Sequence, residues 1–595
     1  MEENKKYQWD LTYFFKSEEE FLKALEDFKS LPPRLGALQG KLNDDECLKE
    51  ALRIQREIEV SLSKLYFFAS MRSDRNKKDV ANASDVMKVR SLFTLLGENT
   101  AYFEPEILSL GKEKLEAFLN DNPEFEEFRF GFEKLFRGQD HVLTPDKELL
   151  LSAFSPIRSE ASLLYSALTI ADGTPKEATL EDGNKVTVTQ ANWTSLVADA
   201  KSEEDRKRIF EALYSQYEAH KNTYAEIYRL GLENQLATMK TRGYKSILDT
   251  HLYGNAIPEE VFLNLIEVAS SEEGSAPLKK YYEIKRKYLG LEKFRSYDRF
   301  VQLAKSDKKY TFEQAQETFF DSIKNFPEDY QEKAREVNKP GFVDVYPGDG
   351  KRSGAYSNGG ANFHPYILLN FNGELDDVFT LAHESGHSIH TLYSEESQPL
   401  MTQDYTIFVA EIASTFNEHN LLDYFLSSGT LSKQDQIFLL QKSIDEICST
   451  FYRQTLFGHY EYLVAKKAEA QEPINYEVLN EVMVDLYKKY YGIDISEEVY
   501  KPLVWAYIPH LFNSPFYVYQ YATSFTSSML IYQNVKEGKP GAFEKHIGLL
   551  RSGGSDYPVE QVKKAGVDLT TKEPYLAVVN RMKFLVDRLE KLLSE

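Results

Sequence analysis

The stretch that most constrains this chain is residues 376–390, which read DDVFTLAHESGHSIH. Apolar residues three and four apart predict a helix that packs inward, with Asp376 or Asp377 capping its start. We name it the H-E-x-x-H helix. Residues four apart share a helix face, so His383 and His387 would direct their imidazoles at one point. Two histidines in a largely apolar helix need polar partners, and the H-E-x-x-H pattern makes a metal ion the predicted partner.

Two further residues of the motif support a metal site. Glu384 lies about 100° around the helix from the first histidine, a direction that suits a general base beside the metal better than a ligand. Gly386 removes a side chain from the turn between the histidines, which would let another backbone approach closely. The alternative is a partly exposed polar helix face with two ordinary histidines. The apolar residues around the motif argue against it.

A catalytic zinc ion usually takes three protein ligands and keeps a fourth position for water, so a third ligand is needed. Residues 406–420 read TIFVAEIASTFNEHN and predict a second helix. On it, Glu411 has the apolar neighbours of a buried ligand, and Glu418 on the same face could orient a metal-bound histidine. The rival is His390, three residues after His387. Three ligands from one short helical span would crowd a tetrahedral ion, which favours Glu411.

Composition argues against several other classes of function. The 595 residues carry a formal net charge of −22, which disfavours nucleic acid or an anionic membrane as the main partner. Cys47 and Cys448 lie far apart, as in proteins of a reducing cytoplasm, and predict no disulfide framework. The start of the chain lacks a signal-peptide core, and no run approaches the ~18 apolar residues of a membrane span. A soluble cytoplasmic protein is expected.

Helical periodicity dominates the chain, which predicts a mainly α-helical fold. Successive amphipathic helices fill residues 17–139, where no cluster of catalytic residue types occurs. A short hairpin is expected at residues 180–188. A soft boundary near residue 200 divides a helical N-terminal lobe, residues 1–200, from residues 201–595, which carry all the candidate site residues.

The periodicity changes just before the H-E-x-x-H helix. Residues 354–360 (GAYSNGG) predict a flexible turn and residues 366–371 (YILLNF) a strand, so a small sheet is expected beside this helix. Small residues next to an edge strand would allow an extended peptide to pair with the backbone. The equal alternative is a plain hairpin that only supports the helix, with His364 an ordinary loop histidine.

Two motifs make the chain similar to a known family. HESGH followed by FVAEIASTFNE resembles the zinc peptidases of the thimet-oligopeptidase type, and within them the oligoendopeptidase F group. The likeness extends from YQWDL at residues 7–11 to AGVD at residues 565–568, which is nearly the whole chain. It implies that one zinc ion is bound by His383, His387 and Glu411.

The resemblance also implies a base, a fold and a class of substrate. Glu384 matches the family's general base. The family fold is two helical lobes that enclose a deep channel with zinc at its floor and a small sheet beside the motif helix. Such a channel admits only short, unfolded chains, so oligopeptides are the expected substrates.

A third set of residues follows from the resemblance, in IPHLFNSPFYVYQYA at residues 508–522. In the family, a histidine and tyrosines in this region donate hydrogen bonds to the oxygen that becomes negative when a peptide carbonyl is attacked. The match falls on His510 and Tyr521, with Tyr517 as the second tyrosine. It shifts by about one residue in between, so Tyr519 stays an alternative to Tyr517. Core packing with a satisfied hydroxyl is the other interpretation of each tyrosine.

The leading hypothesis is a zinc endopeptidase that hydrolyses internal bonds of short, unstructured oligopeptides. A zinc carboxypeptidase on a similar scaffold is one alternative, and it would need a basic residue for the substrate's C-terminus. A non-catalytic peptide-binding protein is another, but such a protein has no use for the base Glu384. Two imidazoles and a carboxylate also suit cobalt or manganese. The sequence predicts no oligomeric state.

Overall fold

Residues 5–158, 160–429 and 431–595 are described by the structure, a computed structural model. The fold is mainly α-helical, as the periodicity predicts. The described strands are β1 (Lys176–Thr179), β2 (Lys185–Val188), β3 (Val343–Asp344), β4 (Tyr356–Gly360) and β5 (Phe363–Leu368).

The spatial contacts between Cα atoms divide the chain into two compact units. Unit 1 comprises Met1–Asp140, Asp307–Ser427 and Ile531–Gly566, and unit 2 comprises His141–Ser306, Ser428–Leu530 and Val567–Glu595. Each unit draws on three separate parts of the chain, and residue 200, where the sequence places a boundary, lies inside unit 2. Composition along a chain does not reveal which distant segments return to the same core.

The helices of unit 1 surround a core that begins at the N-terminus. They are Glu18–Phe28, Leu31–Gly36, Asp45–Arg75, Val80–Thr100, Phe103–Leu110, Lys112–Asp121, Arg129–Gly138, Phe312–Ser322, Glu328–Val337, Leu375–Ser397, Ile407–Ser427, Ala542–Arg551 and Pro558–Lys564. The buried apolar residues of the long helix Asp45–Arg75 form a core that extends to Tyr366 and Leu368 of β5. The indole N–H of Trp9 donates to the carbonyl of Ile367 at 2.8 Å, which fixes the start of the chain against the same strand.

Three strands of unit 1 form a sheet in the order β3-β5-β4. β3 is parallel to β5 and β4 is antiparallel to it, so β4 is an edge strand. The sequence prediction of a flexible turn at residues 354–360 is wrong for most of this stretch, which is β4. Gly359 packs on β5 so closely that a Cβ atom there would lie 2.6 Å from the Cα of Pro365. A glycine is needed at position 359 because the two strands approach closely there, not because the chain turns.

The H-E-x-x-H helix spans Leu375–Ser397. Its N-cap is Glu374, and Asp377 completes a capping box by accepting the N–H of Glu374 at 2.8 Å. One of the two aspartates expected at the helix start is therefore used there, one turn inside the helix. The apolar residues that predicted this helix are buried, namely Val378, Phe379, Leu381, Ala382 and Ile389.

The third ligand candidate lies on the helix Ile407–Ser427, named here the Glu411 helix, which packs against the H-E-x-x-H helix. The two backbones meet at Gly386, where a Cβ atom would lie 2.6 Å from the carbonyl oxygen of Ala413. The predicted close approach at this glycine is confirmed. The buried Asn417 donates to the carbonyl of Ala382 at 3.1 Å, which adds a second fixed contact between the helices.

Unit 2 is also built from helices around an aromatic core. They are Pro145–Ala153, Ser155–Arg158, Glu160–Ser166, Trp193–Asp199, Glu203–Ala219, Lys221–Arg242, Ile247–Leu252, Glu259–Ser270, Glu272–Tyr288, Lys433–Glu446, Arg453–Glu469, Tyr476–Tyr491, Val504–Tyr507, His510–Asn513, Glu573–Ser594 and Tyr519–Lys536, the last of which continues into unit 1. Strands β1 and β2 pair antiparallel on either side of residues 180–184. In the described part of the chain, no helix is both long enough and apolar enough to cross a membrane.

Candidate active site

Three side chains of unit 1 converge where the H-E-x-x-H helix packs on the Glu411 helix. The Nε2 atoms of His383 and His387 are 3.2 Å apart, and each lies 3.5 Å from Oε2 of Glu411. A tetrahedral ion with bonds of about 2.1 Å would hold its ligands about 3.4 Å apart. The donor spacing therefore fits a four-coordinate ion such as zinc. Within residues 5–158, 160–429 and 431–595, this is the one cluster of three or more potential metal ligands.

Acidic side chains around the donor cluster favour a positive charge there. Glu418 contacts Nδ1 of His383, which leaves Nε2 directed at the cluster. Burial lowers the pKa of His383, but the contact with Glu418 outweighs it and raises the pKa to about 10. For Glu411 the directions are reversed. Burial raises the pKa of this carboxyl group, but the neighbouring His387 outweighs the effect of burial and lowers the pKa to about 2. The carboxylate is thus kept ionised beside the two imidazoles.

Glu384 lies beside the cluster without joining it. The residue is 6% exposed, and burial raises its pKa above the usual value for a glutamate. A buried carboxyl group next to a candidate metal site, and outside the set of donors, has the position expected of a general base. The role of Glu384 as a base stays a prediction.

A cavity of about 580 Å³ in unit 1 is lined by the three donors and Glu384. The edge strand β4 forms one part of its wall. Another part comes from Glu59, Ser63 and Phe67 of the helix Asp45–Arg75. Among the described lining residues there are five carboxyl groups and neither lysine nor arginine, and burial raises the pKa of three of the five, Glu384, Glu395 and Asp404. The cavity is therefore acidic on the side that the structure describes.

His390, the rival third ligand, lies outside the donor cluster. Its ring stacks on Tyr405 with centroids 3.6 Å apart, and burial pushes its pKa well below the usual value. The geometry thus brings Glu411 rather than His390 to the histidine pair. His364 likewise packs on an aromatic ring, that of Phe342, at 3.6 Å.

The residues predicted to bind the carbonyl oxygen lie in unit 2 and close to one another. The rings of His510 and Tyr517 are nearly parallel with centroids 6.3 Å apart, and Tyr517 meets Tyr521 edge-on at 5.6 Å. Tyr519 is only 1% exposed and packs edge-on against Phe262. Tyr517 is thus the better placed of the two alternatives to reach a ligand. The action of this cluster on a substrate stays a prediction.

The sequence predicts that the helices of residues 17–139 form a wall or lid, but it did not single out the residues of the helix Asp45–Arg75 that line the cavity. Glu59, Ser63 and Phe67 are spaced by four residues, so the sequence already places them on one helix face. Nothing in the local pattern indicates what that face meets, because a solvated face and a cavity wall have the same periodicity. Glu461, in unit 2, was also missed, since a lone glutamate in a helix gives no signal of burial.

The mainly helical fold and the His-His-Glu cluster are together those of helical H-E-x-x-H peptidases. A sequence model of Peptidase family M3 matches residues 196–581, and a model of Oligopeptidase F matches residues 106–174. The chain belongs to peptidase family M3.

Known proteins match the chain over nearly its whole length. Oligopeptidase PepF of Bacillus subtilis is 35% identical over 590 residues, which covers 99% of this chain and 87% of that protein. The oligoendopeptidase F homolog of Borreliella burgdorferi is 34% identical over 99% of this chain and 98% of its own. The crystal structure of oligoendopeptidase-F from Enterococcus faecium superposes with a TM-score of 0.75 at 25% identity, over 97% of this chain and 99% of that chain. A chain of known structure from Chlamydophila abortus has a TM-score of 0.90 at 33% identity, over 99% of this chain and 98% of its own.

Proposed function

We propose that this chain is a zinc-dependent endopeptidase that hydrolyses internal bonds of short, unstructured oligopeptides. The observation that carries the proposal is the triangle of donor atoms from His383, His387 and Glu411, with sides of 3.2 Å and 3.5 Å. Membership of peptidase family M3 supports peptide hydrolysis. The names of the relatives, oligopeptidase and oligoendopeptidase, support oligopeptides as the substrate class.

His383, His387 and Glu411 would hold the zinc ion, for which their number and chemistry are suited. When bound, zinc would polarise the scissile carbonyl and bring the pKa of a coordinated water to about 7. Glu418 keeps the ring of His383 in the orientation that presents Nε2 to the cluster.

Glu384 moves the proton in the proposed reaction. Its carboxylate accepts a proton from the attacking water and passes that proton to the nitrogen of the leaving amine. Its burial beside the donor cluster supports this assignment, because a base must lie within hydrogen-bond reach of the water. Attack by water forms no covalent bond between enzyme and substrate.

We assign substrate alignment to the edge strand β4 and stabilisation of the carbonyl oxygen to the cluster His510, Tyr517 and Tyr521. β4 lines the cavity and has one edge that does not pair with β5, so an extended peptide can add to it as a further strand. Histidine and tyrosine donate hydrogen bonds without a positive charge, which suits a developing oxyanion. Tyr517 has ring contacts with both His510 and Tyr521, which supports a shared role.

The acidic lining of the cavity favours an endopeptidase over a carboxypeptidase. A carboxypeptidase must bind the negative C-terminus of its substrate, and the described lining residues include no lysine or arginine to bind it. An internal peptide bond is neutral and needs no basic partner.

The test is digestion of a short, internally quenched peptide blocked at both ends, with and without a chelator. Cleavage at an internal bond that a chelator abolishes and zinc restores is the expected result. Cleavage only of a peptide with a free C-terminus would transfer the proposal to a carboxypeptidase. No cleavage would overturn the proposed activity.

The variant Glu384→Gln separates the base from the metal site. The amide cannot take up the proton, so kcat should fall by roughly 10²–10⁴-fold. Zinc affinity should stay unchanged because Glu384 is not one of the clustered donors. A variant that retains wild-type turnover would overturn the role of this glutamate.

A further inference from the structure

The backbone is strained between His510 and Tyr521. Phe516 has a φ of 54°, in the left-handed region that disfavours bulky L-residues. Its side chain is buried and packs on His251, with ring centroids 5.1 Å apart, and on Phe262 at 5.9 Å. The surroundings therefore hold this residue in a conformation that it would not adopt alone.

Glu461 supplies the polar contact that holds this turn. It lies on the helix Arg453–Glu469, is 3% exposed, and accepts the backbone N–H of Phe516 through Oε1 at 2.8 Å. Its other oxygen is buried without a hydrogen-bond partner, and no cation among the described residues forms an ion pair with this carboxylate. Burial also raises the pKa of Glu461 to about 8.

Two unfavourable features thus meet at one hydrogen bond. A buried carboxyl with an unsatisfied oxygen is costly, and a left-handed phenylalanine is costly as well. An apolar residue at position 461 would avoid the first cost, and a glycine at position 516 would avoid the second. Strained backbone positions cluster at functional sites, so the turn at Phe516 is a candidate for a functional constraint.

The turn is coupled to the aromatic cluster through backbone hydrogen bonds between residues three apart. The N–H of Tyr517 donates to the carbonyl of Ser514 at 3.3 Å, and the N–H of Tyr521 donates to that of Val518 at 3.2 Å. A rotation of the backbone at Phe516 would therefore move Tyr517 directly and the start of the following helix with it.

We propose that Glu461 is a positioning residue for the cluster His510, Tyr517 and Tyr521. By accepting the N–H of Phe516 it fixes the left-handed turn, and the turn fixes the directions of the two tyrosine hydroxyls. The inference rests on the proposed function, in which these rings donate to the oxygen of the scissile carbonyl.

The test compares Glu461→Leu with a matched control on the same helix. Glu469 also accepts a backbone N–H, that of Ile247 at 2.8 Å, but its partner begins another helix, Ile247–Leu252. Both variants are loaded with zinc and assayed for kcat and KM on the quenched peptide. Glu461→Leu should lower kcat about ten- to a hundredfold with little change in KM, since a misplacement of about 1 Å can cost that much. Glu469→Leu should leave kcat near the wild-type value.

Conservative variants separate positioning from stability. Glu461→Gln keeps the shape and an acceptor oxygen, so it should restore most of kcat. Glu461→Asp withdraws the carboxylate by one methylene and should give an intermediate loss, which keeps the proposal testable if the leucine variant does not fold. A kcat that stays at the wild-type value in a folded Glu461→Leu or Glu461→Asp variant would overturn the proposal.

A double-mutant cycle with Tyr521→Phe identifies the residue through which Glu461 acts. The double variant Glu461→Leu/Tyr521→Phe should be no slower than Tyr521→Phe alone, because the hydroxyl to be positioned is already absent. Losses that multiply would show independent action and overturn the inference. If Tyr521→Phe alone keeps full kcat, the assigned role of the tyrosine fails, and the inference fails with it. If Tyr521→Phe is slow and Glu461→Leu is not, only the inference fails.

Discussion

Replacing Gly386 by alanine should weaken zinc binding although residue 386 is not a ligand. The new Cβ atom would lie 2.6 Å from the carbonyl oxygen of Ala413 and 2.7 Å from the Cα of Ser414. Ordinary contact for a Cβ begins at 3.4 Å, so the two helices must separate by about 0.8 Å at this point. Both clashing atoms belong to the backbone of the Glu411 helix, so no side-chain rotation can relieve the contact.

The displacement is large compared with the tolerance of a metal site. Glu411 lies two residues before Ala413 on the same helix, and its carboxylate is only 3.5 Å from each histidine. Metal–ligand distances tolerate about 0.2 Å, so a shift of this size should lower zinc affinity by roughly 10–100-fold. Overpacking should also cost about 1–3 kcal/mol, which offsets the gain of about 1 kcal/mol from the better helix propensity of alanine.

The assay is competition for zinc between the purified protein and a chromophoric chelator, with thermal unfolding measured in parallel. Gly548→Ala is the matched control, since Gly548 lies in the helix Ala542–Arg551 of the same unit with no atom within 4 Å of an added Cβ. The control should bind zinc normally and gain about 0.5–1 kcal/mol in stability. Wild-type zinc affinity in a folded Gly386→Ala protein would refute the argument that this contact sets the donor spacing.

Three further substitutions test neighbouring parts of the structure. Glu418→Gln removes the charged partner of His383 and should lower zinc affinity roughly 10–100-fold in the same competition assay, an effect that a spectator carboxylate would not show. His390→Ala should lower the thermal midpoint by removing a buried stacked ring but leave zinc affinity intact, whereas Glu411→Gln should abolish tight binding; the reverse pattern would identify His390 as the ligand. The folded-state pKa of Glu461, about 8, lies above the unfolded value of 4.5, so its contribution to stability is full below pH 4.5 and is lost as pH rises towards 8. Glu461→Gln should remove roughly 3–4 kcal/mol of this pH dependence between pH 5 and pH 8 in denaturant titrations, and an unchanged slope would contradict the assignment.

The parts of the site that depend on neighbours within one helix could be predicted from the sequence. Helix geometry alone places His383 and His387 on one face and Glu384 to the side of that face. It also shows that Gly386 leaves the turn between the histidines without a side chain. The choice of Glu411 over His390 followed from the crowding of three ligands on one span, and the donor cluster is consistent with it.

The parts that depend on distant segments could not be predicted. The glycines of β4 give the same local signal for a turn and for a strand, and only the approach of Pro365 distinguishes the two. Position 516 has a left-handed conformation but is neither glycine nor asparagine, so the residue type gives no signal of the turn. A carboxyl group 55 residues away in the sequence stabilises this conformation. Local propensity therefore failed where tertiary contacts override it, and one of those places is the turn that we assign a functional role.

The residues proposed to bind zinc and those proposed to stabilise the carbonyl oxygen belong to different units of the chain, so their effects on zinc affinity and on kcat should be separable. Unit 1 contains all three clustered donors, together with Glu418 and the helix contact at Gly386. The structure therefore defines a potential metal site without any residue of unit 2. The aromatic cluster and Glu461 lie within unit 2. Zinc affinity should therefore respond to substitutions in the first group, whereas kcat at saturating zinc should respond to the second. A loss of zinc affinity in Tyr521→Phe would show that the two groups are coupled.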